Sequence, residues 1–157
     1  MRRKDRELTA PEQIRDILEQ AKILHLALSD GDYPYVVPLH YGYEFDGEQL
    51  CFYLHSAAEG HKLDLIRADP RACVELECRV GLVSGGDDPC SYGSTLASLI
   101  ARGEIAIISD PDEKIKGLNL LMQNQTGRDF AFTPQMARAV EVLRFTAASF
   151  SAKGRLR

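Results

Sequence analysis

No apolar run in this sequence is longer than Leu50–Leu54, far short of the roughly 20 residues a helix needs to span a bilayer. The charges at the N-terminus are followed by no apolar stretch of the signal-peptide kind, so a cytoplasmic protein without membrane association is expected. There is no basic excess either. Lysine plus arginine number 19 against 23 acids, for a net charge of −4, which argues against a nucleic-acid binder that works by neutralising phosphates. The single basic cluster, Arg2, Arg3, Lys4 and Arg6, is diluted by Asp5 and Glu7 and reads as part of a solvated, flexible tail over residues 1–8. Cys51, Cys73, Cys78 and Cys90 form no CxxC pair and are expected as thiols. Cys51, His55, His61 and Cys73 lack the spacing of a zinc knuckle, so no metal site is expected. Walker loops, dinucleotide-binding glycine fingerprints and GxSxG elbows are all missing, which removes the enzyme classes built on them.

What is present suits one ordinary globular domain over residues 1–157: 45% of residues are apolar and 27% charged, without the bias that keeps a chain disordered. Thr9-Ala10-Pro11-Glu12 has capping-box spacing with proline in the first turn, and Ile14, Ile17, Leu18 and Ala21 follow on one face of a helix ending near Lys22. Short apolar runs then alternate with turn signals. Strands are predicted at 23–28, 35–45 and 50–55, the last two joined by Asp46-Gly47, a strong hairpin signal. A helix over 57–68 stops at Asp69-Pro70. A strand over 72–78, a glycine-rich loop over 81–89 and a long strand over 92–108 with a bend at Gly103 come next. Asp110-Pro111-Asp112-Glu113 opens a third helix with Ile115, Leu118, Leu121 and Met122 inward, closed near Gly127. Thr133-Pro134 starts a brief helical turn before a last strand over 140–150.

About six antiparallel strands with helices between them, and no βαβ alternation, predict an α+β, mainly β protein with a small barrel and flanking helices. Leu50, Phe52 and Leu54 alternate with Cys51 and Tyr53, so one strand is apolar on both faces. Its second face needs cover from a helix, a ligand or another subunit, and a homodimer is expected.

Two segments carry candidate chemistry. In His55-Ser56-Ala57-Ala58-Glu59-Gly60-His61-Lys62, the S-x-x-E spacing places Ser56 at a helix N-cap, and the helix dipole together with Lys62 suits an anion such as a phosphate. A capped helix with a surface lysine has the same pattern. In Pro34-Tyr35-Val36-Val37-Pro38-Leu39-His40-Tyr41-Gly42-Tyr43-Glu44, Pro38 has no N–H to give a ladder, so its strand is an edge or is bulged there. Tyr35, Tyr41 and Tyr43 suit packing as well as they suit a cofactor.

PYVVPLHYGYE, LCFYLHSAAEGHKLDLI, YGSTLASLIARGEIAII and DEKIKGLNLLM, in that order, resemble the pyridoxamine 5′-phosphate oxidase-related flavoproteins, most closely the nitroimidazole-resistance (NimA-like) branch, over residues 2–153. The resemblance implies a split β-barrel homodimer with FMN in a cleft at the subunit interface. It implies that Val37, Pro38, Leu39 and His40 line the isoalloxazine edge. His55, Ser56 and Lys62 would lie along the ribityl phosphate and ring, and Ser98 would come from the opposite subunit. His40 stands where the family often has asparagine, and Ser151-Ala152-Lys153 replaces a T-G-K, which leaves Lys153 without an assigned role. His25 matches no motif and reads as a packing histidine. The activity implied is that of an FMN-dependent oxidoreductase acting on a small molecule, nitroimidazole-reductase-like, with His55 as the candidate catalytic residue or as a mere hydrogen-bonding group. The alternative is a non-catalytic module that stores or senses FMN or haem. Pyridoxamine phosphate oxidation itself fits less well, because the chain is short and offers no second phosphate site.

Overall fold

Pro11 opens helix α1 (Pro11–Gln20), since its fixed φ and missing N–H suit a first helical turn. Ile14, Ile17 and Leu18 fall on one face and are buried. The cap expected from Thr9 does not form: Ala10 is the N-cap, without a side-chain bond. At the other end the Tyr41 hydroxyl donates to the carbonyls of Leu18 and Ala21 at 2.9 and 2.8 Å, which satisfies helix-end acceptors that have no partner within the helix.

The computed structural model describes residues 4–155. Among these, eight strands form one antiparallel sheet: β1 (Glu7–Leu8), β2 (Leu24–Asp30), β3 (Tyr33–Leu39), β4 (Tyr41–Phe45), β5 (Leu50–Ser56), β6 (Arg71–Val83), β7 (Gly93–Ile108) and β8 (Glu141–Arg155). Their order is β3-β2-β6-β7-β8-β5-β4, with β1 on β8. The sheet curls without closing, and this is the split barrel expected. Two more strands are present than were counted from sequence. The predicted strand over 35–45 breaks at His40, and Glu7 and Leu8 pair with Lys153 and Ala152. Residues 1–3 of the expected tail lie outside the described residues. Lys4–Arg6 forms a 3-10 turn, and Leu8 sits against Gly154 and packs on the core, which explains why this end is held.

His40 is the seam of the barrel. It alone separates β3 from β4, although these are the two ends of the sheet. At Gly103 β7 has the bend expected: the register shifts between Arg102 and Gly103, and a β-carbon there would lie 1.9 Å from the Thr146 carbonyl oxygen. Another irregularity, between Cys78 and Gly81, puts Arg79 at φ 56° and lets β6 resume pairing, so Gly81–Val83 extend the strand where a loop was predicted.

Inside the barrel, Leu24, Leu26, Phe52, Leu54, Val74, Leu76, Leu99 and Phe145 form one core with α1 and with helix α2 (His61–Ala68). The opposite face of β5 carries Tyr53, packed with Ile108, Leu118, Ala137 and Val142. Leu118 and Ala137 belong to helix α3 (Pro111–Thr126) and helix α4 (Pro134–Arg138), and Ile108 and Val142 to β7 and β8. The second apolar face of β5 is therefore covered by helices of the same chain. Asp110 caps α3 by accepting from the Glu113 amide at 2.8 Å, and Gly127 ends it at φ 69°, as the local spacing implied.

Candidate functional site

The edge strand β3 pairs only with β2, and its ladder sets Val37 opposite Leu26, Pro38 opposite His25 and Leu39 opposite Leu24. Val37 and Leu39 thus turn their half-buried side chains inward while Pro38 is exposed on the other face. Of the three, Pro38 faces the open edge and offers a carbonyl but no N–H, while strand alternation turns the backbone groups of Val37 and Leu39 towards β2.

His40 follows directly and is exposed. Its Nδ1 lies 3.0 Å from the Lys22 carbonyl oxygen. A carbonyl can only accept, so Nδ1 carries the proton and Nε2 is left as the free ring nitrogen. His55 is one step beyond the Tyr41–Leu54 pair of β4 and β5, which sets it beside His40. Burial first, then the positive charges of His40 and Lys62, hold the His55 imidazole below its ordinary pKa. Burial likewise lowers the ammonium of Lys62. Among the described residues no carboxylate stands within ion-pair distance of Lys62. His55 thus lies within electrostatic range of both His40 and Lys62, and among the described residues none of the three forms an ion pair with a carboxylate.

Ser56 is buried at the end of β5, opposite Glu141. It is not the helix N-cap expected from its spacing to Glu59. Pairing with β8 holds it in the sheet, and α2 starts later, after Gly60 at φ 144°, a conformation open to glycine and strained for other residues. The amides of His61 and Lys62 head this helix, beyond the first backbone bond from Leu63 to Gly60, and face outward as helix-end donors. His61 also accounts for a contact that sequence reasoning missed. Its Nε2 is 2.7 Å from Asp30 Oδ2, and Tyr35 meets its ring edge-on at 5.5 Å. This ties the tip of the β2–β3 hairpin to the start of α2.

Ser98 is buried on β7, opposite Glu77 and Lys153. Lys153 and Val142, the partner of His55, lie toward opposite ends of β8, so Ser98 is not brought to the three basic groups within one chain. His25, read as a packing histidine, is half-exposed instead. It points away from the core, with Nδ1 3.5 Å from Glu75 and 3.9 Å from Glu77. All four cysteines are free. No helix among the described residues is long and apolar enough to cross a membrane.

Fold and site together define a split-barrel protein with an uncompensated cationic corner beside an open sheet edge. The family model described as pyridoxamine 5′-phosphate oxidase matches residues 10–154, and the chain belongs to that family. A candidate 5-nitroimidazole antibiotic resistance protein from Bacteroides thetaiotaomicron VPI-5482 is similar at TM-score 0.80 and 28% identity, over 94% of this chain and 86% of that one. The flavocytochrome Anf3 of Azotobacter vinelandii shares the fold at TM-score 0.77 and 19% identity, over 100% and 72% of the two chains. An FAD and haem binding protein from Mycobacterium smegmatis does so at TM-score 0.77 and 20% identity, over 95% and 73%. No curated protein matches the chain.

Proposed function

We propose that this chain is an FMN-dependent oxidoreductase that works as a cytoplasmic homodimer and reduces a small molecule. The observation that carries the reading is the convergence of Lys62, His55 and His40 without an acid between them. Such a corner suits a dianionic phosphate, because the half-buried Lys62 ammonium gains a charge-assisted hydrogen bond in place of lost hydration and the two imidazoles beside it can donate as well. The helix-end amides of His61 and Lys62 add donors. Ser56 and the edge-strand residues Val37, Pro38 and Leu39 border the flavin in this reading, and Ser98 reaches it from a second copy. Bound FMN supplies the hydride or electron transfer. His55, neutral in the unliganded protein at neutral pH, holds or passes a proton beside it.

A second copy is favoured by the outward face of the sheet, where Val36 on β3 and Ile100 on β7 are 54% and 40% exposed, at the two ends of a patch that His25 and Glu75 cross. A haem-binding module is the second reading, favoured by two exposed imidazoles, His40 and His55, at one place. The visible spectrum of the purified protein tests both. A flavin spectrum, FMN binding after the cofactor is stripped, and oxidation of a reduced nicotinamide cofactor by the loaded protein are expected. A haem Soret band, or flavin binding without turnover, would replace the enzyme with a carrier or sensor.

A further inference from the structure

We propose that His25, Glu75 and Glu77 form a binding site for a divalent first-row transition-metal ion on the outward face of β2 and β6. The two strands place the donors by register. His25 and Glu75 are direct cross-strand partners, and Glu77 lies two residues along β6, on the same face by strand periodicity. Leu24, Leu26, Val74 and Leu76 fill the opposite, inward face, so the three polar side chains have no alternative direction.

The His25 Nδ1 is 3.5 Å from a Glu75 oxygen and 3.9 Å from a Glu77 oxygen, and the three donor atoms all lie within 4.8 Å of one another. A tetrahedral ion with ligands at about 2.0–2.1 Å has ligand-to-ligand edges of roughly 3.4 Å, so the two edges from His25 to the carboxylates need to close by only a few tenths of an ångström. Charge points the same way. Two carboxylates stand side by side here, and a dication answers both negative charges. One nitrogen and two oxygen donors suit zinc, iron or manganese better than calcium or magnesium, which take all-oxygen shells. All three side chains are more than a third exposed, which leaves coordination positions for water or for a group on a second molecule.

Zn2+ is the probe, titrated by calorimetry into the purified, flavin-loaded protein after chelator treatment. One ion per chain is expected, with a matching rise in melting temperature. His25→Ala and Glu77→Gln should each weaken it by about tenfold or more, since even a group that only orients a ligand is worth that much. Cys73→Ser and Cys90→Ser should leave it unchanged. Without metal, Glu77→Gln should melt at or above the wild type because it relieves like-charge repulsion, so its loss of zinc cannot come from unfolding. Flavin content should stay the same in every variant, which separates this site from the proposed FMN corner. Absence of binding, binding that survives both His25→Ala and Glu77→Gln, or binding lost with either serine variant would overturn the proposal and mark an adventitious ion only.

Discussion

Gly42 lies so close to α3 that a β-carbon built on it would stand 2.2 Å from the backbone nitrogen of Leu121. The contact is backbone against backbone, so no rotamer change relieves it. Asn124 and Gln125 of the same helix each donate to the Tyr41 carbonyl at 3.0 Å, and the approach of α3 to β4 is fixed from both sides. Gly42→Ala should destabilise by about 1–3 kcal/mol or more, as overpacking does. Urea denaturation should show a lower midpoint with unchanged slope. An unchanged midpoint would mean that α3 can lift from β4 at little cost.

Among the described residues, the buried Tyr41 hydroxyl is the side-chain donor to the Leu18 and Ala21 carbonyls. Tyr41→Phe should cost about 1–3 kcal/mol, the usual penalty for orphaning buried acceptors. The next residue back, His40, holds Lys22, so the loss should be accompanied by faster amide exchange at the end of α1. Wild-type exchange there would show that the helix end is held by packing alone.

Lys62→Ala should weaken FMN by roughly tenfold to a hundredfold, the worth of one hydrogen bond to a charged group. Riboflavin, which lacks the phosphate, should bind wild type and variant alike in fluorescence titrations. An equal loss for both ligands would mean the lysine supports the pocket rather than the phosphate.

The unliganded His55 has a pKa below its ordinary value, so it is mostly neutral at pH 7.5. An adjacent phosphate dianion raises that pKa, and binding then takes up a proton. FMN affinity should therefore increase as pH falls from about 8 towards 6.5, before the phosphate's own second pKa near 6 intervenes. His55→Gln should flatten that slope, and riboflavin should not show it. The lowered pKa also has a consequence for the unliganded fold. The unfolded chain takes the proton first, so the stability linked to neutral His55 is present above the ordinary histidine pKa and is lost as pH falls from there down through the lower folded pKa.

Val36→Glu, on the exposed outward face of β3, should shift a dimer towards monomer in light scattering at micromolar concentration, because it puts a charge into the proposed contact. A wild-type protein that is monomeric with flavin bound would refute the dimer itself.

Elements whose boundaries rest on neighbouring residues could be read directly. Asp110 and Gly127 bound α3 through local side-chain and backbone geometry, and Pro38 marked an edge strand because a missing N–H is a property of that residue alone. Ser56 shows the limit. Its S-x-x-E spacing is a helix signal, yet a ladder to Glu141 far along the chain keeps it in a strand. The two-faced apolarity of Leu50–Leu54 was visible, but nothing near it told that α3 would be the cover. Likewise His55 and Lys62 were neighbours in sequence, whereas His40 joins them only through the β4–β5 hairpin. The clusters of His61 with Asp30 and of His25 with Glu75 and Glu77 are products of strand register and leave no local signal.

Pro34 and Pro38 sit four residues apart on β3, so the N–H groups they lack would have pointed to the same side of the strand. A foreign strand aligning with that edge meets only the Val36 donor between two gaps. At the far end of the sheet, the Tyr41 carbonyl of β4 is already taken by Asn124 and Gln125. Both margins of the open barrel are thus poor templates for intermolecular β-pairing. Edge-to-edge growth of this chain into fibres is thereby disfavoured.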